Sequence, residues 1–149
     1  MTILEKTLAL HDVELFNQVP TEALSFLASI AQEESFEPGE EIFKEKDLAF
    51  TFHLVLGGRV RLTRGGIEVS FIGAGDVMGA WALLDAEERL VTATATEPTD
   101  LLTIERETFY DLIADHPTIT RATLSSLAQR FRRMIRPLEK KISGPEGTT

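Results

Sequence analysis

GDVMGAWALLDAEERLVT, which runs from Gly75 to Thr92, is the most informative segment of this 149-residue chain. A glycine-rich turn leads into a short apolar helix, and an acidic loop with one arginine then precedes a β-branched strand. A helix that begins just after Gly79 would direct unpaired backbone N–H groups and its positive dipole end at one place. Arg89 lies ten residues further along and can return to that place with charge-assisted hydrogen bonds. The segment therefore predicts a site for a small phosphate.

The sequence on both sides of this segment predicts short strands joined by tight turns. Pro38-Gly39 indicates a turn, and the glycine pairs at 57–58 and 65–66 indicate two more. The predicted strands begin at Ile42 and also cover Phe52 to Leu56, Val60 to Leu62, Ile67 to Phe71, Val91 to Thr96 and Leu101 to Ile104. Short strands punctuated by glycine turns are typical of an antiparallel sandwich or jelly roll.

Helices are predicted before and after the strands. Pro20-Thr21-Glu22 is typical of a helix start, and residues 107–114 predict a short helix. A longer helix is predicted from Thr118 to about Arg136, where Pro137 should end or kink it.

We therefore expect a mainly β fold with flanking helices, in a single domain over residues 1–141. The N-terminal segment is helical, the β-roll covers about 36–104, and the C-terminal helices cover about 107–136. Residues 142–149 are rich in Gly, Pro and Thr, and we expect them to form a disordered tail.

The order of these motifs resembles the cyclic nucleotide-binding domain family, which includes catabolite activator-like proteins and regulatory subunits of protein kinase A. Residues 79–92 are similar to its phosphate-binding cassette, roughly G-E-L-A-L-L, a short loop and R-[SA]-A-T. FEPGEEIFKEKD, at 36–47, resembles the family's F-x-P-G-E-x-I-x-x-x-G-D, and LVLGGRVRL, at 54–62, resembles its Y-x-V-x-x-G-x-V-x-V hairpin. The resemblance extends from about Leu15 to Arg136 and implies a double-stranded β-helix (jelly roll).

The resemblance implies that Arg89 holds the phosphate of a cyclic nucleotide, cAMP or cGMP, together with backbone N–H groups near Ala82 and Leu83. Ala80 stands where the family carries the glutamate that binds the ribose 2′-hydroxyl. Loss of that charged partner costs roughly 1.5–3 kcal/mol, which is about one to two decades in affinity. The predicted ligand-binding residues are Gly79, Ala80, Trp81, Ala82, Leu83, Arg89, Leu90 and Thr92.

Other residues in and near the cassette depart from the family pattern. Leu90 replaces a small residue, and it either crowds an anion or turns away from it. Three carboxylates surround Arg89 in sequence, compete for its guanidinium and repel a phosphate, so Arg89 is either a ligand group or a member of a structural ion pair. Trp81 either packs as a core or interface aromatic or fills the ribose space or stacks on a base. Lys46 replaces a turn glycine and must either adopt a positive φ or use a different turn.

Composition excludes several functional classes. The chain has 24 acidic and 15 basic residues, a net charge of −9, which argues against general nucleic-acid binding. It has no cysteine, so disulfides, thiol catalysis and zinc–cysteine clusters are excluded. Its apolar runs are too short to cross a bilayer and no signal peptide precedes them, so we expect a cytoplasmic protein with no membrane partner.

No pattern in the sequence indicates catalysis. His11, His53 and His116 are scattered, and we interpret each as a surface or turn histidine. There is no G-x-S-x-G nucleophile motif and no metal-ligand spacing. We therefore expect no catalytic residue, no metal, no cofactor other than the cyclic nucleotide ligand, and no enzymatic activity.

The predicted C-terminal helix carries a regular apolar stripe. Leu124, Leu127, Phe131, Met134 and Leu138 recur at spacings of 3, 4, 3 and 4, which is the pattern of a lid or a dimer seam, and Leu124, Leu127, Phe131 and Met134 are the positions we assign to it. The alternative is that the stripe packs on the chain's own β-roll. Six basic residues between Arg130 and Lys141 either form a solvated helix end or bind an acidic partner or membrane surface.

Three functions stay open at this point, and the first is slightly favoured. The first is a non-catalytic regulatory or scaffold module with a degenerate cassette, weak or no ordinary cyclic nucleotide binding, and a protein partner or fused effector. The second is a sensor of cAMP, cGMP or another anionic small molecule that binds through Arg89 and the cassette amides. The third docks the basic helix on anionic lipid or nucleic acid. Because eight residues follow Lys141, we expect no winged-helix DNA-binding domain.

Overall fold

The computed structural model describes residues 1–85 and 87–143, and the side chains of Trp81 and of residues 139–143 are outside what it describes. The strands form two four-stranded antiparallel sheets. The first contains β1 (Gln32–Phe36), β3 (Thr51–Gly57), β6 (Val77–Met78) and β8 (Thr99–Glu105) in the order β1-β8-β3-β6. The second contains β2 (Glu41–Phe43), β4 (Arg59–Arg64), β5 (Ile67–Gly73) and β7 (Thr92–Ala95) in the order β2-β7-β4-β5. The predicted mainly β jelly roll with flanking helices is confirmed.

The helices lie on both sides of the β-roll in sequence. They are α1 (Ile3–His11), α2 (Thr21–Ile30), α3 (Arg106–Asp115) and α4 (Pro117–Ser143), with single 3₁₀ turns at Glu14–Phe16 and Ala80–Leu83. α2 and α3 begin within a residue of their predicted starts. None of the helices in the described part of the chain is long and apolar enough to cross a membrane.

The two sheets and the helices enclose two apolar cores. One core joins the helices to one face of β3 and β8, and its largest buried side chains include Phe16, Phe52 and Phe109. The other lies between the sheets and contains Val55 and Val60. Because side chains alternate along a strand, Phe52 and Leu54 face the helices, whereas Thr51, His53 and Val55 face the space between the sheets.

The sequence did not predict α1, β1 or the short strand β6 as separate elements. α1 is capped by Thr2, whose hydroxyl accepts a hydrogen bond from the Glu5 amide at 3.1 Å. Thr2-Ile3-Leu4-Glu5 is a capping-box sequence, so a signal for α1 was present. β1 has mostly exposed side chains and no apolar alternation, and its backbone pairing with β8 defines it. The β-roll therefore begins at Gln32, before the predicted boundary near residue 36.

The last helix is longer than predicted. α4 continues through Pro137 to Ser143, so the predicted end near Arg136 is wrong. A proline removes the N–H that would bond to the carbonyl four residues earlier, which belongs to Arg133. Both residues are exposed, so water can satisfy that carbonyl. Residues 142 and 143 belong to α4, not to a disordered tail, and residues 144–149 lie outside the described residues.

Two of the tight turns with positive φ bear on the predictions made from the sequence. Gly58, between β3 and β4, has φ of +99°, and a Cβ there would lie 2.5 Å from the Pro98 carbonyl oxygen. Only glycine fits this turn, as the glycine pair predicted. Lys46 has φ of +73°, so it adopts the left-handed conformation that its position requires, despite its side chain.

Candidate functional site

A short backbone ladder fixes the position of Arg89. Residues 87–89 run antiparallel to residues 46–49: the Lys46 N–H donates to the Arg89 carbonyl at 2.8 Å, and the Arg89 N–H donates to the Asp47 carbonyl at 2.7 Å. The Ala49 N–H donates to the Glu87 carbonyl at 2.9 Å. The left-handed turn at Lys46 begins this ladder. These hydrogen bonds hold residues 87–89 of the cassette against the connection between β2 and β3, on one side of the site.

The Arg89 side chain is directed into the protein. It is 7 % exposed, and its Nη2 atom donates to the carbonyl oxygen of Thr51 at 2.8 Å and to its hydroxyl at 2.9 Å. The guanidinium carbon lies 4.1 Å from the centre of the Phe43 ring, which gives a cation–π contact. Burial lowers the pKa of Arg89, and the nearby Asp47 carboxylate raises it. An arginine retains its charge in such a site.

No carboxylate pairs with this buried cation in the part of the chain that the structure describes. The ion pairs there are between the N-terminus and Glu33, between Lys44 and Glu41, and between Arg133 and Glu14. The acidic residues next to Arg89 in sequence are exposed and do not take part in them. Among the described residues, Arg89 is therefore not a member of an ion pair.

His53 lies beside Arg89 and is buried, so its interpretation as a surface or turn histidine is wrong. It is 5 % exposed on β3, with Nε2 2.9 Å from the Thr51 hydroxyl and Nδ1 2.8 Å from the Thr103 hydroxyl. Its ring also stacks on Phe43, with ring centres 6.1 Å apart. Burial and the positive charge of Arg89 lower the pKa of His53 to about 4. It is therefore neutral near pH 7. His11 is exposed at the end of α1, and His116 lies at the α3–α4 break, as interpreted.

Gly79 makes room for the arginine. It has φ of +72°, and a Cβ there would overlap Nη1 of Arg89 and lie 2.7 Å from the Thr51 carbonyl oxygen. The predicted meeting of the Gly79 turn and Arg89 therefore occurs. The helix after Gly79 is a single 3₁₀ turn, and the Ala82 N–H donates to the Gly79 carbonyl at 2.9 Å. That amide is already bonded, contrary to the expectation of a free donor at Ala82.

A cleft of about 960 Å³ opens beside Arg89. Of the predicted site residues, Gly79, Ala82, Arg89 and Leu90 line it. The others are placed differently: Ala80 packs partly buried against the helical core, Leu83 is fully buried, and the Thr92 hydroxyl accepts a hydrogen bond from the Glu45 amide at 3.0 Å. The expectations for the Trp81 side chain lie outside the described residues.

Sequence reasoning missed three residues around Arg89. Phe43 and Thr51 contact its guanidinium, and His53 contacts the Thr51 hydroxyl. Phe43 and His53 were assigned to strands without a role at the site, and Thr51 lay just before the predicted strand from Phe52 to Leu56. One signal was present, since Thr51 and His53 are polar at alternate positions of an otherwise apolar strand. Alternation puts both on one face, and the register pairs His53 with Thr103. Polar side chains that recur on one face of a buried strand indicate an internal network.

The apolar stripe of α4 is only partly buried. Leu127 packs against the helical core. The other four positions are more than half exposed: Leu124 60 %, Phe131 61 %, Met134 68 % and Leu138 57 %. The alternative in which the whole stripe packs on the β-roll is therefore wrong. Among the described residues, no cluster of three or more His, Asp or Glu side chains could hold a metal ion.

Comparison with known proteins identifies the family. Residues 33–116, more than half of the chain, match the family described as "Cyclic nucleotide-binding domain". The chain therefore belongs to the cyclic nucleotide-binding domain family.

Its relatives include longer proteins. The chain is 35 % identical over 123 residues to the "Cyclic AMP receptor protein" of Thermus thermophilus, covering 79 % of this chain and 57 % of that protein. It is 31 % identical over 101 residues to the "cAMP-dependent protein kinase regulatory subunit" of Yarrowia lipolytica, covering 68 % of this chain and 27 % of that protein. The chain thus spans about half or less of these relatives.

A solved structure shares the fold over almost its whole length. The N-terminal domain of a transcriptional regulator from Streptomyces coelicolor superimposes with a TM-score of 0.80 at 24 % identity. The match covers 85 % of this chain and 94 % of that domain. It supports the β-roll with its flanking helices as one unit.

Gly79→Ala tests the close packing of Arg89. The new Cβ would meet Arg89 and the Thr51 carbonyl, so we expect the free energy of unfolding in urea to fall by roughly 3 kcal/mol, from backbone strain plus overpacking. Gly75→Ala is the control, since Gly75 has φ of +91° but open space around its Cβ. It should lose only the strain, roughly 1–2 kcal/mol. Equal losses would mean that the contact with Arg89 is not tight.

His53→Gln tests the neutral buried histidine. Between pH 6.5 and about 4 the unfolded chain binds a proton at His53 that the folded protein does not, so stability falls as the pH decreases. Across this window His53 should account for about 3 kcal/mol of lost unfolding free energy. Urea unfolding of His53→Gln should lack that component, whereas His11→Gln, at an exposed position, should follow the wild type. Parallel pH profiles for wild type and His53→Gln would contradict the assignment.

Proposed function

We propose that this domain is a non-catalytic regulatory module that binds a small anionic ligand through Arg89. The observation that carries the proposal is a buried guanidinium beside an open cleft, with Thr51 and Phe43 as partners and, among the residues that the structure describes, no carboxylate in an ion pair with it. Asp47 is near enough to raise the pKa of Arg89 but forms no ion pair with it, and an anion in the cleft would supply a directly bonded counter-charge for this buried cation. This favours ligand sensing over the non-binding scaffold that the sequence slightly favoured.

The proposal includes weak binding of ordinary cyclic nucleotides. The methyl group of Ala80 cannot accept a hydrogen bond from the ribose hydroxyl, and Ala80 packs against the core formed by the helices. The acidic loop residues Asp85, Glu87 and Glu88 line the cleft and oppose a second negative charge near Arg89. The greater length of the relatives supports a role as one module of a regulator, with its output on another domain or protein, and we place that module in the cytoplasm.

Calorimetric titration with cAMP and cGMP tests this function on three variants. Wild type should bind weakly, at up to millimolar nucleotide, and Ala80→Glu should bind about 10- to 100-fold more tightly because it restores a charged acceptor. Arg89→Ala should bind neither nucleotide. Arg64→Ala, at an exposed arginine on β4, is the control for the change in charge.

Two results would contradict the proposal. Unchanged affinity in Arg89→Ala would exclude Arg89 as the anion ligand. Tight binding by wild type with no gain in Ala80→Glu would show that position 80 does not limit the ribose contact. Circular dichroism of each variant confirms that it is folded.

The exposed stripe on α4 supports a second role, as a homodimer interface. Four large apolar side chains on one helix face, each more than half exposed, favour pairing with a second copy of the helix. Phe131→Glu should convert a dimer to a monomer in sedimentation velocity experiments. Gln129→Glu adds the same charge on the opposite face of α4 and should remain dimeric. A monomeric wild type at high concentration would exclude this interface.

A further inference from the structure

The wall of the cleft beside Arg89 is mainly apolar. Side chains of Phe43, Leu48, Leu62, Val77, Met78 and Leu90 form much of it. Phe43 and Met78 lie deep in the roll, whereas Leu48 and Leu90 are 56 % and 71 % exposed at the mouth. Exposed apolar side chains at the mouth favour an apolar ligand over a hydrated one, because contact with an apolar ligand removes their apolar surface from water.

The cleft has few groups for a polar ligand body. Among the described residues that line it, none is Ser, Thr, Asn, Gln, Tyr or His. A sugar hydroxyl or a base edge buried there without a partner costs about 1–3 kcal/mol each. The side chains that can form hydrogen bonds are Arg89 and the carboxylates of Asp85, Glu87 and Glu88. Polar recognition by side chains is therefore concentrated at one cation.

The charges of the cleft favour a single negative charge on the ligand. Among the described residues, both hydrogen bonds of the guanidinium start from Nη2 and go to Thr51, which leaves the N–H groups of Nε and Nη1 without a protein acceptor. The three exposed carboxylates repel every anion, and they repel a dianion about twice as strongly as a monoanion. One buried cation and an acidic mouth match a monoanionic head group.

We propose that the ligand of this cleft is an amphipathic monoanion, a carboxylate carried on an apolar body. The carboxylate bonds to Arg89, and the body lies against Phe43, Met78 and Leu90. This inference rests on the proposed function, since it takes Arg89 as the anion ligand, and it names the chemical class of that ligand.

Three small probes separate charge from apolar body. 4-Phenylbutyrate has both, 4-phenylbutanamide has the body without the charge, and butyrate has the charge without the body. Calorimetric titration of the wild-type chain should rank 4-phenylbutyrate first, at least tenfold tighter than either other probe and than cAMP. In Arg89→Met the acid should lose its advantage over the amide.

A variant of the wall tests the apolar contact without disturbing the fold. Leu90→Asn keeps the side-chain size at an exposed position, and it should weaken 4-phenylbutyrate several-fold and leave butyrate unchanged. Leu124→Asn, on the exposed stripe of α4, is the matched control and should bind all probes like the wild type.

The outcomes distinguish this inference from the proposed function. Tighter binding of cAMP than of 4-phenylbutyrate, lost in Arg89→Met, would keep the proposed function and overturn the amphipathic ligand. Equal binding of acid and amide, unchanged in Arg89→Met, would overturn both, as would no binding of any probe at millimolar concentration. Preference for the acid that depends on Arg89 but not on Leu90 would overturn the placement of the apolar body.

Discussion

The hydrogen bonds from Arg89 to Thr51 place a charged guanidinium inside the end of the β-roll, and the surrounding residues are arranged around it. A guanidinium out of water is costly unless it is hydrogen-bonded. Thr51 offers two acceptors from one residue, and Phe43 offers the face of its ring. Gly79 leaves the space that a side chain would occupy. His53 stays neutral because its burial lowers its pKa, and the positive charge of Arg89 lowers that pKa further. Each neighbour thus has a role that depends on one buried charge.

The fold was predictable where apolar alternation and turn residues coincide. β3, β4 and β5 are separated by glycines with positive φ, so the sequence predicted both these strands and the turns between them. β1 was not, because it is an exposed strand that exists through backbone pairing with β8. The extent of α4 was also missed, since an exposed proline costs a helix less than a buried one.

The site was predictable in outline and not in its internal partners. The spacing of Gly79 and Arg89 correctly placed them together, because the cassette pattern fixes both on one short segment. Thr51 and His53 lie on a strand more than thirty residues earlier in the chain, and only the fold brings them to Arg89. An ion pair between Arg89 and the acidic loop was one of two alternatives, and the described residues do not form it, because the carboxylates of Asp85, Glu87 and Glu88 are exposed whereas the guanidinium is buried.

The buried side chains of α4 lie in its first half, and the ion pair between Arg133 and Glu14 holds the helix beyond them. Ile119, Thr123 and Ser126 are buried, and beyond Leu127 none of the described side chains on this helix is fully buried. At Pro137 the helix has no N–H to offer the carbonyl of Arg133. Because that hydrogen bond is already missing, Pro137 is a position at which the outer part of α4 can bend more easily than an uninterrupted helix would. A force that an attached domain or a second copy applies to the end of α4 would be transmitted to the β-roll through the buried first half of the helix.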